Sequence, residues 1–139
     1  MTSLTLFYSF TEDLAEKVHN LGADTLKMCL TNTAPSLSNT GFADITEIAA
    51  GNGYTAGGAT VTVSSSAQTA GIYKLILADV TVTAAGGSIG PFRYVVLYND
   101  TSTGDRLIGY ADYGVSYTIA DTQSFQIDFD ASAGALTLG

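Results

Sequence analysis

The chain has no tryptophan, one cysteine and one histidine. A lone cysteine excludes a disulfide within the chain. Cys29 lies in LKMCL, residues 26–30, an apolar run that predicts a buried strand with Cys29 as a small core hydrophobe. One Cys and one His also cannot supply a zinc-type ligand set, which takes several. A Ser-His-Asp site would have to use His19. That residue falls near the end of a predicted helix, where a solvated histidine facing the helix dipole is the ordinary role. The lack of tryptophan argues against a sugar-binding platform.

Charge is scarce as well. Charged residues make up 13% of the 139, about half the usual ~25%. Thirteen acidic and five basic side chains give a formal charge of -8. Lys17, Lys27, Lys74, Arg93 and Arg106 are scattered, and an acidic surface repels phosphate, so nucleic acid is not an expected partner. No apolar run reaches the ~18 residues of a membrane span, so no membrane partner is expected. The opening MTSLTLFYSF lacks the positive start of a signal peptide. Hydrophobic residues, at 46%, are ordinary, which separates the chain from disordered ones. Thr, Ser, Gly and Ala take the place of charge, a composition that suits a rigid β domain. The length fits one domain with a single core, residues 1–139, with residues 1–24 as an N-terminal arm and helix.

Residues 9–24 carry the one convincing helix. Ser9 and Glu12 frame a capping box, with Thr11 as a rival N-cap. Leu14, Val18 and Leu21 form a narrow apolar stripe, and Gly22 stands where a C-terminal glycine belongs. The predicted helix covers about residues 11–20. From Thr25 the period changes to two. Val61 and Val63, Val80 and Val82, and Phe125, Ile127 and Phe129 alternate with polar residues, the mark of strands with one wet face. Residues 25–31, 72–77 and 92–98 are apolar on both faces, which predicts strands covered on each side. Residues 106–111, 115–119 and 135–138 complete eight or nine strands. Residues 42–50 predict a helical turn with Asp44 as its cap. The expected fold class is all-β and mainly antiparallel, a jelly-roll-like β-sandwich with one short N-terminal helix.

Few residues carry chemistry. GNGYTAGG at 51–58 has glycines but no GK[ST], so it predicts a turn with positive φ or close packing, anchored by Tyr54. Asp128 and Asp130 are expected on one strand face, roughly 6–7 Å apart. That spacing suits a glycosidase pair and also an ordinary wet face. Asp100 and Asp105 bracket an oxygen-rich loop. It is compatible with Ca²⁺ but lacks EF-hand spacing, and a tight polar hairpin is the default. No catalytic, cofactor-binding or metal residues are assigned, and the chain is not expected to be an enzyme. Tyrosine joins apolar area to a polar tip and suits interfaces. The candidate interface residues are Leu6, Phe7, Tyr8, Phe10, Tyr54, Tyr110 and Tyr113. For the TLFYSF segment, 5–10, two roles stand open: an edge strand closing the domain's own sheet, or an arm docking on a neighbour.

The order of the segments carries a resemblance. A short N-terminal helix leads to DTLKMCLTNTAP and ADITEIAAGNGYTAGG. These are followed by LADVTVTAAGGSIGPFRYVVLYND, LIGYADYG and FQIDFDASAGALTLG. Over nearly the whole chain this resembles a family of small tailed-bacteriophage virion structural proteins. The resemblance implies a capsid decoration (cement) protein that stabilises the head by bridging major capsid protein subunits. It also implies self-association as a dimer or trimer, no cofactor, and a place on the capsid surface after synthesis in the host cytoplasm. The alternative is a tail or fibre component acting as a binding module.

Overall fold

The computed structural model describes residues 4–139, so the first three residues of the expected arm lie outside the described residues. The elements run β1 (Thr5–Leu6), α1 (Tyr8–Ala15), β2 (Leu26–Thr31), a 3₁₀ turn (Phe42–Asp44), β3 (Ala59–Val61), β4 (Val63–Thr69) and β5 (Ile72–Leu77). They continue with β6 (Val80–Thr83), β7 (Ile89–Asn99), β8 (Leu107–Ile119), β9 (Ser124–Ile127) and β10 (Leu136–Leu138). All named pairings are antiparallel. One sheet has the order β1-β8-β7-β2-β3, a second β10-β5-β4, and a third pairs β6 with β9. The pairs β1–β8, β2–β7 and β4–β5 nest one inside another, as in a jelly roll. The fold is the expected all-β, sandwich-like class with one short helix.

The main core lies between the five-stranded sheet and the two smaller ones. Leu26, Met28 and Leu30 of β2 and Val95 and Leu97 of β7 meet Leu75, Leu77, Val80, Val82 and Ile127 there. The alternate residues Cys29, Val96 and Tyr98 face a smaller cluster with Phe7 and Leu107. β2 and β7 are therefore covered on both faces, which is why their sequences are nearly continuous apolar runs. β5 differs from expectation. It is central in its sheet, yet Ile72 is 48% exposed, because no layer of the described residues covers the outer face of that hairpin.

The helix is earlier and shorter than predicted. Phe7, in extended conformation, precedes its first turn, with no side-chain cap. Ser9 lies inside the helix, so the predicted capping box does not form. Two strand-like contacts set the start instead: Phe7 N–H donates to Ile108 O at 3.1 Å and Tyr8 N–H to Leu37 O at 3.0 Å. The end is a Schellman turn. Lys17 takes φ 69°, Lys17 N–H reaches Leu14 O, and Val18 N–H reaches Asp13 O at 2.8 Å. Gly22 comes too late to serve.

Two further expectations shift. The expected 42–50 turn is confined to Phe42–Asp44 with Gly41 as its N-cap, so Asp44 does not head the turn but closes it from the third position, its Oδ2 accepting the Thr40 and Gly41 N–H groups at 3.0 and 3.3 Å. β9 stops at Ile127, so Asp128 and Asp130 do not share a strand face. Asp130 Oδ1 accepts the Ser132 and Ala133 N–H groups, both at 2.8 Å, and folds a tight turn.

Candidate functional site

The seven candidate interface residues are dispersed. Phe7, Phe10 and Tyr54 are buried in the chain's own core. Phe7 meets the half-buried Tyr110 with centroids 5.5 Å apart. Leu6 is half-buried beside the β1–β8 ladder. Tyr8 is 70% exposed. Residues 5–10 thus close the domain's own sheet, with Tyr8 turned outward.

Tyr54 anchors its loop, as its position among glycines suggested. Its hydroxyl accepts Leu30 N–H at 3.0 Å and donates to Glu47 Oε2 at 2.6 Å. Glu47 also accepts Gly57 N–H at 2.8 Å, and Tyr98 Oη donates to Gly57 O at 2.5 Å. Burial, then the Glu47 hydrogen bond, raises the Tyr54 pKa well above the usual phenol value. Gly58 sits at φ 83°, where a Cβ would collide with the Met28 carbonyl. Only glycine lets the loop lie flat on β2.

His19 corrects an expectation: it is enclosed rather than solvated, with its side chain 0% exposed. Asn99 Nδ2 lies 3.0 Å from His19 Nδ1 and donates to Asp24 Oδ2 at 2.7 Å. That donor pattern assigns the ring proton to Nε2. Nε2 is 4.0 Å from Asp13 Oδ2, beyond hydrogen-bond length, and has no hydrogen-bond partner among the described residues. Asp13 is held instead by the Arg106 fork at 2.8 and 3.1 Å. Desolvation lowers the His19 pKa, opposed by Asp13 and Asp24 and assisted by Arg106. The cluster clasps the segment after α1 to the β7–β8 hairpin.

The 99–105 connection is the predicted polar hairpin. Asn99 Oδ1 accepts the Thr101 and Ser102 N–H groups at 3.0 and 3.2 Å, and Asp100 pairs with Lys27 at 3.6 Å. Among the described residues, no group of three or more His, Cys, Asp or Glu side chains converges as a metal site. No described helix is long and apolar enough to cross a membrane.

The most exposed apolar side chains on the long hairpin lie on β8. Tyr94 faces Asp112 and Phe92 faces Tyr117, so residues 113–116 bulge out of the ladder. This merges two predicted strands into one. Gly114 turns the bulge at φ 82°. Asp112 braces its base: Oδ1 accepts Gly114 N–H and Arg93 Nε–H, both at 2.7 Å, and Oδ2 accepts the Arg93 terminal nitrogen at 3.0 Å. That fork, then the Gly114 N–H, holds the Asp112 carboxyl below its ordinary range. Ser116 Oγ donates to Asn32 Oδ1 at 2.7 Å, a second tether.

Rings support the bulge from beneath. Buried Phe92 meets Phe125 edge-on at 5.1 Å, and Phe125 meets Tyr113 and Tyr117, each at 5.4 Å. Tyr117, itself one of these rings, is 39% exposed, and Val115 in the bulge is 55% exposed. Tyr113 was a candidate from the sequence. Val115 and Tyr117 were not, because the bulge that exposes them follows from the pairing with β7. The result is a rigid aromatic ridge suited to protein contact. Comparison with protein-family models, with curated proteins and with solved structures found no match.

Proposed function

We propose that the chain is a tailed-bacteriophage virion structural protein, a capsid decoration protein that bridges major capsid protein subunits without catalysis. The observation that carries this reading is the β8 ridge. Val115 and Tyr117 are exposed apolar side chains held out by a braced bulge. The low charge content and the order of segments along the chain support it. Each contact can be weak, because many copies on one shell act together through avidity.

The test is binding of the purified protein to particles stripped of it. Val115→Lys, at the most exposed position of the ridge, should weaken attachment about tenfold or more while leaving the melting temperature nearly unchanged, as expected for a residue at the centre of a contact. Attachment of the unaltered protein should survive a rise from about 0.05 to 1 M salt, where the Debye length falls to roughly 3 Å. A copy number far below that of the major capsid protein, or antibody label confined to the tail tip, would move the protein to the tail.

A further inference from the structure

Asn99 fixes where His19 can carry its proton. Asn99 Oδ1 accepts the Thr101 and Ser102 N–H groups at 3.0 and 3.2 Å, and Nδ2 donates to Asp24 Oδ2 at 2.7 Å. Turning the amide over would set its oxygen against a carboxylate and its NH₂ against two N–H groups, so it has one orientation. Nδ2 also meets His19 Nδ1 at 3.0 Å, and this contact is a hydrogen bond only while Nδ1 is bare. Backbone joins the same two segments: Asp100 N–H donates to Thr25 O at 2.9 Å, and Thr25 N–H to Thr101 Oγ1 at 2.8 Å. The junction lies at one end of the β2–β7 ladder, where Leu26 faces Asn99. The charged groups around the ring are Asp13 of α1, Asp24 of the ring's own segment and Arg106 at the foot of β8. The end of β7 offers only the uncharged Asn99.

We propose that the His19–Asn99 contact is an acid-released latch: a proton on Nδ1 sets two donors face to face, and residues 19–25 lift from the β7–β8 hairpin while the sheets stay folded. Asn99 cannot answer by turning over, because its other three hydrogen bonds hold it. The rest of the β2–β7 pairing, as far as Thr31 and Tyr94, does not pass through the latch. Desolvation of the enclosed ring outweighs the pull of Asp13 and Asp24, and Arg106 adds to it. The latched ring therefore takes a proton only below the ordinary value of about 6.5, whereas a released ring in water takes it at that value. Release is thus disfavoured above about pH 6.5 and grows as pH falls toward the lowered value. What the latch covers is apolar. The buried Phe10 ring lies 5.4 Å from His19, and Leu21 belongs to the main core. Mild acid would bare this surface beside α1. The inference stands apart from the capsid reading, and it makes the first response to acid a local opening rather than loss of the fold.

The experiment is amide hydrogen exchange on the full chain across a pH series, with each rate corrected for the pH dependence of intrinsic exchange. Protection of the Thr25, Thr101 and Ser102 amides should fall by up to about tenfold per pH unit below about pH 6.5. It should not respond to low urea, as an opening smaller than global unfolding requires. Amides in the middle of β2 and β7 should be better protected and sensitive to urea. Nitrogen NMR shifts of His19 should show a neutral ring protonated on Nε2 at high pH, with Nδ1 gaining its proton as the protection falls. His19→Gln keeps an acceptor for Asn99 and cannot titrate, so protection at these amides should become independent of pH. The measurements on the unaltered chain decide the matter even where the variant fails to fold. Protection at Thr25, Thr101 and Ser102 that is independent of pH, or that follows urea as the core amides do, would overturn the proposal. So would a proton on Nδ1 at high pH, or a folded His19→Gln chain that keeps the pH response.

Discussion

Individual side chains settle several outcomes through single hydrogen bonds. Tyr54 satisfies a β2 amide and a half-buried carboxylate with one hydroxyl. Tyr54→Phe keeps the ring but leaves Leu30 N–H and Glu47 short of a partner. The expected cost is about 1–3 kcal/mol, measured as a lower urea midpoint with an unchanged slope. His19 sets a pH dependence. Its folded pKa lies below the ordinary value of about 6.5, so below that pH the unfolded chain binds the proton more readily. Stability should be full above about pH 6.5 and fall as pH drops toward the lowered value. His19→Gln should flatten that part of a stability profile. A profile unchanged by the substitution would contradict the enclosed, neutral ring.

At the scale of elements, α1 shows how tertiary contacts override local signals. Ser9, Glu12 and Gly22 resemble the start and stop of a helix. The helix instead begins where the Ile108 carbonyl of β8 and the Leu37 carbonyl of the loop after β2 take the first amides, and a left-handed Lys17 turns the chain away after Ala15. A left-handed lysine is strained, and glycine adopts that conformation freely. Lys17→Gly should therefore raise stability by up to about 1 kcal/mol, seen as a higher melting temperature. The β8 bulge is an element of the same kind. Its shape depends on Arg93 from β7 and Asn32 from the loop after β2, both remote in sequence. Periodicity within residues 107–119 could not reveal it.

For the whole molecule, the N-terminal segment serves both cores. Phe10 belongs to the main cluster and Phe7 to the smaller one on the opposite face. Each fully buried ring is worth about 1.5–3 kcal/mol, against a total stability of about 5–15 kcal/mol. Deleting residues 1–10 should cost cooperative melting before any binding property is lost. A truncated chain that melts like the full one would mean that these burials contribute little.

Much of the fold was legible in the residues alone. The period-two runs locate β6 and β9, the continuous apolar runs locate β2 and β7, and the glycines around Tyr54 mark an anchored turn. Those signals are local, because each strand's sequence records which of its faces is wet. The enclosure of His19, the turn made by Asp130, the early helix and the Val115–Tyr117 ridge were decided only by tertiary structure. Each depends on a partner supplied by a distant segment: Asn99 for His19, Leu37 for the helix start, and Phe125 and Asn32 for the ridge. The turn at Asp130 follows the end of β9, whose length is set by its pairing with β6. A pattern within one segment reports whether a side chain will be buried, but the groups that meet it across the sheets are chosen by strand pairing and packing.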